Sequence, residues 1–219
     1  LSLRRQRQMC IRDRTTGTLD GTQTHKLVLE GVFGAVHKVT TTKKLMEDKQ
    51  LADLKIVCCT LNYTKDEERK FITKGNYQEE IDWIVQNPQR NEIIKNLTIA
   101  QEGNTLLLFQ YVEKHGKVLH EMIDKAVKDN RKVFFVYGGT DTQTREDIRA
   151  ITEKENDAII IASYGTFSTG INIRNLHNIV FASPTKSRIR NLQSIGRGSV
   201  SYTHLRAHET REDRGCRRG

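Results

Sequence analysis

Cysteine and long apolar runs are scarce in this sequence, and each of these two scarcities argues against a class of protein. Four of its 219 residues are cysteine and two are proline. Cys58 and Cys59 are adjacent, and no C-x-x-C pair or histidine cluster has metal-ligand spacing, which argues against a disulfide framework or a zinc site. No apolar run approaches the length of a membrane span. We therefore expect a cytoplasmic protein with no membrane partner.

Positive charge is abundant but unevenly distributed. The formal net charge is +9, yet residues 1–14 hold five Arg against one Asp, and residues 199–219 hold five Arg against three acidic residues. All ten basic residues of these tails are Arg, whereas the middle has nine Arg and seventeen Lys. Both tails resemble translated sequencing-adapter read-through, and we expect them to be foreign and disordered. The alternative is a pair of arginine-rich tails that bind nucleic acid.

Five apolar runs in the middle of the chain predict β-strands. They are "IVCCTL" from Ile56, "TLLLF" from Thr105, "VFFV" from Val133, "AIIIA" from Ala158 and "IVFA" from Ile179. None alternates apolar with polar residues, so each strand is expected to be covered on both faces, as in parallel sheets. Helical patterns separate the runs, which predicts an α/β fold with right-handed crossovers.

The helical segments carry their own start and stop signals. Residues 77–103 read as helical with an interruption at Pro88. An apolar stripe that includes Leu119 and Ile123 predicts a helix after "TLLLF", ending near "KDN". Thr140 and Gln143 have the spacing of a capping box and predict the start of the next helix.

Loops at the carboxyl ends of parallel strands are where such sheets bind ligands. After "AIIIA" comes "SYGTFSTGIN", whose small and hydroxyl-bearing residues suit contact with phosphate oxygens. After "VFFV" comes "YGGT" ahead of a predicted helix, where anions are favoured. After "IVFA" comes a segment that places Gln193 and Arg197 four residues apart, on one helix face. Each loop alone is compatible with ordinary turn chemistry, but together and in this order they indicate a phosphate-binding edge.

The same loops carry a family resemblance. The matching segments are "TGTLDG" from Thr16, "LLLFQYVEKHG" from Leu106, "VYGGTDTQTR" from Val136, "ASYGTFSTGIN" from Ala162 and "QSIGRG" from Gln193. Together they resemble the successive carboxyl-half motifs of superfamily 2 helicases, in particular bacteriophage UvsW-type DNA helicases. The resemblance covers about residues 15–198.

The resemblance implies a RecA-like (P-loop NTPase-type) α/β domain, with helices on both faces of a parallel sheet. It further implies a motor of two such domains that binds ATP with Mg²⁺ between them and DNA, single-stranded or branched, across both. Residues 15–51 would be a remnant of the first domain and the connection, and residues 52–198 the helicase carboxyl-terminal domain. The parent is expected to be a monomer, in the host-cell cytoplasm if a phage encodes it.

Roles for individual residues follow from the same matching. The resemblance gives ATP-binding positions at Gly170, Asn172, Gln193 and Arg197, with Arg197 as the catalytic arginine that reaches the γ-phosphate. It gives nucleic-acid contacts at Gly138, Ser163, Thr166 and Thr169, and a coupling motif at Thr16, Gly17 and Thr18.

Two departures from the family pattern limit what this chain does alone. The last motif normally ends in a second arginine, but position 200 is Val200, inside the foreign-looking tail. The sequence also contains no G-x-x-x-x-G-K-[ST] loop and no D-E-x-H, so the phosphate cradle and metal-holding acid are absent. We therefore expect the isolated fragment to be inactive as an ATPase.

Other functions stay open at this point. One is a nucleic-acid-binding RecA-like module that does not hydrolyse ATP, and another is an unrelated doubly wound enzyme that binds a nucleotide. RNA is an alternative to DNA as substrate, because phosphate contacts do not distinguish the two, nor do they encode unwinding polarity.

Overall fold

A computed structural model of the chain describes residues 23–52, 54–65, 76–170, 173 and 175–198. Its α-helices are α1 Gln23–Phe33, α2 Thr42–Glu47, α3 Tyr77–Gln86, α4 Pro88–Ile99, α5 Lys117–Val127, α6 Thr142–Lys154, α7 Tyr164–Gly170 and α8 Arg188–Gly198. Its strands are β1 Thr105–Phe109, β2 Val133–Val136, β3 Ile159–Ser163 and β4 Asn178–Phe181. A π-helical turn, Val112–Gly116, precedes α5, and a short 3-10 turn, Lys128–Asn130, follows it.

The four strands form one parallel sheet in the order β2-β3-β1-β4. β1 and β3 are central and every residue in them is buried, whereas the edge strands β2 and β4 are mostly half-buried. The uninterrupted apolar runs therefore have the parallel, doubly covered environment that they predict. The predicted α/β fold is confirmed.

Alternate residues of the central strands form two separate cores, one on each face of the sheet. On one face Leu106, Leu108 and Ile160 pack with side chains of α6 and α7. On the other face Leu107, Phe109, Ile159 and Ile161 pack with side chains of α4 and α5. The helix predicted after "TLLLF" contributes Leu119 and Ile123 to this second core, as its apolar stripe requires.

The break predicted at Pro88 is present and has a local cause. Asn87 ends α3 and caps α4, because its Oδ1 accepts a hydrogen bond from the backbone N–H of Arg90 at 3.0 Å. Pro88 then occupies the first turn of α4, where a missing N–H costs no helical hydrogen bond.

The predicted capping box at Thr140 and Gln143 is wrong. Asp141 is the N-cap of α6, and its carboxylate accepts from the backbone N–H of Gln143 at 3.0 Å. Thr140 is engaged earlier, in a turn where its Oγ1 accepts from the N–H of Tyr137 at 3.0 Å. Thr140 and Asp141 are both suitable N-cap residues. Because Thr140 hydrogen-bonds within the turn, Asp141 caps the helix.

The strand predicted at "IVCCTL" is also absent, although the residues are described. Residues 56–61 have no regular secondary structure, and Ile56 and Val57 are 67% and 69% exposed. Cys58 and Cys59 are free and exposed. No neighbouring strand hydrogen-bonds to this run in the described sheet, so its apolar character alone does not produce a strand.

Residues 23–65, named here the N-terminal arm, differ from the rest of the described chain. The arm contains α1 and α2 and buries none of the described side chains fully. Large apolar side chains in it are open to solvent, including Leu27 at 75% and Val39 at 95% exposed. No helix among the described residues is long and apolar enough to cross a membrane.

The amino ends of the strands are closed by two side chains. Asn104 is fully buried, and its amide donates to the carbonyls of Glu155 and Asn175, both at 2.7 Å, and of Thr152 at 3.1 Å. Its Oδ1 accepts from the N–H of Ala158 at 2.8 Å. The guanidinium of Arg131 donates to the carbonyl oxygens of Ile99, Gln101, Gly103 and Asp157, and forms an ion pair with the Asp157 carboxylate.

Candidate functional site

The parallel strands bring four loops to one edge of the sheet. Because all four strands run in the same direction, the segments that follow β1, β2, β3 and β4 meet at the carboxyl edge. The candidate residues Gly138, Ser163 and Thr166 lie in these segments, and Gln193 lies on α8, which packs against β4 and α7. These four predicted positions therefore lie toward the same edge of the sheet.

Ser163 and Thr166 contact each other at the junction of β3 and α7. Their hydroxyl oxygens are 2.8 Å apart, and the Thr166 N–H donates to Ser163 Oγ at 3.3 Å. Both residues are buried, at 9% and 5% exposed. This pair fixes how the chain turns from strand into helix, and it leaves little hydroxyl surface open in the structure as it stands.

Gly138 lies in the exposed turn between β2 and α6. No atom lies within 4 Å of the position that a Cβ would take at Gly138, so the backbone is open to approach. Its carbonyl accepts from Nη2 of Arg145 at 3.1 Å, which places a cation beside the turn. The Asp141 carboxylate, however, already occupies the start of α6. The positive charge at this turn therefore comes from Arg145 more than from the helix terminus.

The helix α8 carries the last two candidate residues. Gln193 is exposed, whereas the neighbouring Ser194 is buried, at 3%. Arg197 lies one turn further along the same helix, on the face of Gln193; its side chain lies outside the described residues. An amide and a guanidinium on one face form a donor set that suits phosphate oxygens.

Several candidate positions are described in part or not at all. The backbones of Thr169 and Gly170 belong to α7, but the Thr169 side chain lies outside the described residues. Asn172 and the coupling motif at Thr16, Gly17 and Thr18 also lie outside them.

A buried polar network lies beneath this edge, and sequence reasoning missed it. Ser183, just after β4, has its Oγ 2.8 Å from Nδ1 of His115, and this Oγ accepts from the Gln110 N–H at 3.0 Å. His115 Nε2 lies 3.1 Å from Oδ1 of Asn91.

Burial, with a smaller contribution from the Arg90 cation, lowers the pKa of His115 to about 4. His115 is therefore neutral at physiological pH. The only signal in the sequence is a histidine close after an apolar strand, which does not reveal partners 24 and 68 residues away.

Two further side chains hold the same segment after β4. The Tyr164 hydroxyl donates to the Ser183 carbonyl at 3.0 Å, and Nη2 of Arg90 donates to the Ala182 carbonyl. Burial raises the pKa of Tyr164 to about 12, opposed by the Arg90 charge. Burial also lowers the pKa of the Arg90 guanidinium from its usual value. The end of β4 is thus held from three other elements of the fold.

Metal binding is not supported by the side chains in view. Among the described residues, no group of three or more His, Cys, Asp or Glu side chains is close enough to hold a metal ion.

Comparison with known proteins decides the family. Residues 89–199, about half of the chain, match the model of the helicase conserved C-terminal domain. The chain belongs to this helicase family. The match includes every candidate position from Gly138 to Arg197, and it confirms the helicase resemblance seen in the motifs.

A curated relative gives the same result over a longer stretch. The chain is 39% identical over 185 residues to the ATP-dependent DNA helicase uvsW of Enterobacteria phage T4. The alignment covers 83% of this helicase-family chain and 36% of the phage protein. The chain therefore spans about a third of the length of the curated relative that it matches.

Proposed function

We propose that this chain is the second motor domain of an ATP-dependent DNA helicase, which completes the ATP site and contacts the nucleic-acid backbone. The observation that carries the proposal is the family match over residues 89–199, which includes all the candidate residues on and after the carboxyl edge of the sheet. The relative that aligns over 83% of the chain is named as an ATP-dependent DNA helicase, which supports DNA as the substrate.

The proposed ATP contacts lie on α8, at the last residue of α7 and two residues beyond it in the sequence. In this proposal Gln193 binds the nucleotide through its amide and Arg197 through its guanidinium, and Gly170 and Asn172 are further nucleotide contacts. When bound, ATP would supply the phosphoryl group for transfer; its magnesium ion would be held by residues of the other motor domain, since this sequence has no D-E-x-H motif. Negative charge spreads over the phosphoryl oxygens during transfer, so the permanent charge and planar fork of Arg197 stabilise the transition state.

The proposed nucleic-acid contacts lie in the turn after β2, at the end of β3 and on α7. Gly138, Ser163, Thr166 and Thr169 contact phosphates and thereby hold the strand without reading its sequence. Thr16, Gly17 and Thr18 couple the two domains. The motor acts in the cytoplasm as a monomer, joined to a first RecA-like domain.

Arg197→Lys tests this function in the two-domain protein, meaning this chain preceded by a first motor domain. The substitution keeps the charge but removes the fork that pairs with a phosphoryl group. With saturating DNA, steady-state ATP turnover should fall by roughly a hundredfold to a thousandfold, while ATP binding changes little.

Arg190→Lys is the matched control, because Arg190 is an exposed arginine on the same helix. It should leave turnover within about twofold of wild type, as surface substitutions usually do. Near-normal turnover in Arg197→Lys would eliminate the catalytic role, and DNA binding without ATPase activity in the wild type would indicate a non-hydrolysing module.

A further inference from the structure

Ser183 uses all of its polar groups other than its own N–H to bind distant segments of the chain. It is 3% exposed, its carbonyl accepts from the Tyr164 hydroxyl, and its hydroxyl contacts both His115 and the Gln110 N–H. These partners are 19, 68 and 73 residues away in sequence. A single residue holds three segments, through its side chain and its carbonyl together, only where their relative positions are fixed.

The protons in this network have one consistent arrangement. The Asn91 amide nitrogen donates to the Val85 carbonyl at 3.1 Å, which fixes Asn91 Oδ1 as the acceptor facing His115. His115 therefore carries its proton on Nε2, and its bare Nδ1 accepts from the Ser183 hydroxyl. The Ser183 oxygen is left free to accept from the N–H of Gln110. Each of these hydrogen bonds pairs one donor with one acceptor, so the network favours one geometry.

The elements joined at Ser183 carry the two halves of the proposed site. Tyr164 is the first residue of α7, the helix that bears Thr166. Ser183 starts the segment that leads into α8, the helix that bears Gln193 and Arg197. The bond from the Tyr164 hydroxyl to the Ser183 carbonyl therefore connects the proposed nucleic-acid side to the proposed nucleotide side.

We propose that Ser183 is a positioning residue whose bonds to Tyr164, His115 and Gln110 make α7 and α8 shift together, so that DNA contact at one moves the arginine on the other. The coupling of DNA binding to ATP hydrolysis rests on the proposed function. The mechanical link between α7 and α8 does not. If the network had a purely structural role, it would stabilise the fold equally, but a shift of α7 would not move α8.

Tyr164→Phe is the sharpest variant, because it removes one hydroxyl and keeps the ring in the core. In the two-domain protein, ATP turnover without DNA and the Kd for single-stranded DNA should stay within about twofold of wild type. Stimulation of turnover by saturating DNA should fall by roughly fivefold to a hundredfold, the range of ordinary coupling between sites. Unchanged stimulation would overturn the proposal.

Thr152→Val is the matched control. Thr152 is also fully buried and also donates its hydroxyl to a backbone carbonyl, that of Ile148 at 2.7 Å, but it lies on α6 away from Ser183. It should keep DNA stimulation at the wild-type level. An equal loss of stimulation in Thr152→Val would show that general destabilisation, and not the Ser183 link, is responsible.

Amide hydrogen exchange on the 219-residue chain separates this inference from the proposed function. In Tyr164→Phe, exchange should rise by about tenfold or more both in α8 and at Gln110, as expected when a cooperative unit loosens. A rise confined to α7 would overturn the link between the helices. This measurement needs neither ATP nor DNA. If the wild-type protein showed no DNA-dependent turnover, the proposed motor function would be refuted, but the link between α7 and α8 would not.

Discussion

The run "IVCCTL" in the N-terminal arm and the run "IIIAS" of β3 have similar apolar composition but differ in secondary structure and burial. Ile56 and Val57 are about two-thirds exposed, whereas Ile159, Ile160 and Ile161 are fully buried. β3 has a hydrogen-bonded strand on each side and helices over both faces, and "IVCCTL" has neither in the described structure. An apolar run becomes a strand only where neighbours pair with its backbone and cover its side chains.

Removing one side chain from each region is the strongest test of this comparison. Leu107→Ala should lower the free energy of unfolding by about 2–5 kcal/mol, because Leu107 is fully buried in β1 and leaves a cavity. Ile56→Ala should change it by less than about 0.5 kcal/mol. Urea denaturation measures both changes, provided that the slope of unfolding free energy against urea concentration is the same as in the wild type. Similar costs would mean that the arm is packed in solution.

A pH titration of stability distinguishes a buried histidine from an exposed one. The pKa of His115 is about 4 in the folded chain, below its ordinary value of 6.5, so the unfolded state takes up the proton first as pH falls. The contribution of neutral His115 is fully present above pH 6.5 and is lost between about 6.5 and 4, up to about 3 kcal/mol.

His115→Gln should remove this part of the pH dependence measured by denaturation between pH 4 and 7. His37→Gln, at an exposed position in the arm, is the matched control for losing a histidine. A wild-type stability that is flat across this window would contradict the buried neutral ring.

Adding a methyl group to one glycine in each region should have opposite effects. A Cβ at Gly116 would lie 2.6 Å from the Phe109 ring, so Gly116→Ala should cost about 1–3 kcal/mol through overpacking. The φ of Gly116 is −61°, so the backbone itself is not strained. Gly31, inside α1, has open space around it, and Gly31→Ala should stabilise that helix by about 0.5–1 kcal/mol.

Thermal unfolding compares the two substitutions directly, and circular dichroism reports the added helix in Gly31→Ala. A loss of stability in both variants would show that α1 is packed against something.

The smallest effect is expected from the tails. Residues 1–14 and 201–219 lack apolar periodicity and are dense in Arg, whose burial is costly. Deleting both should leave the thermal midpoint nearly unchanged. A drop of many degrees would show that they belong to the fold.

The sheet was predictable from sequence because its strands are buried on both faces and therefore read as unbroken apolar runs. A strand was wrongly predicted at residues 56–61 because the same local apolar pattern occurs there without neighbouring strands. The apolar run alone does not indicate whether another strand pairs with it. The cap of α6 was missed for a different reason. Thr140 and Asp141 are equally suitable residue types, and only the turn formed by Tyr137 separates them.

The candidate site was predictable only where a motif is continuous in sequence. Ser163 and Thr166 lie three residues apart, and the structure brings their hydroxyls together. The network of Ser183 and His115 joins residues 68 apart through the order of the strands, so no local pattern indicates it. The role of Arg197 stays a prediction that Arg197→Lys tests, and the role of Gln193 stays a prediction.

Asn104 restricts how the length of this chain can change during evolution. One side chain reaches three carbonyl oxygens and one N–H in segments 48–71 residues away, each at hydrogen-bond distance. Inserting a residue beside Glu155 or Asn175 would move a carbonyl beyond the reach of the amide and leave a buried polar group unpaired. Insertions and deletions among relatives should therefore concentrate in the loops at the opposite edge of the sheet. Lineages can then reshape those loops for new substrates while the amino ends keep a constant length.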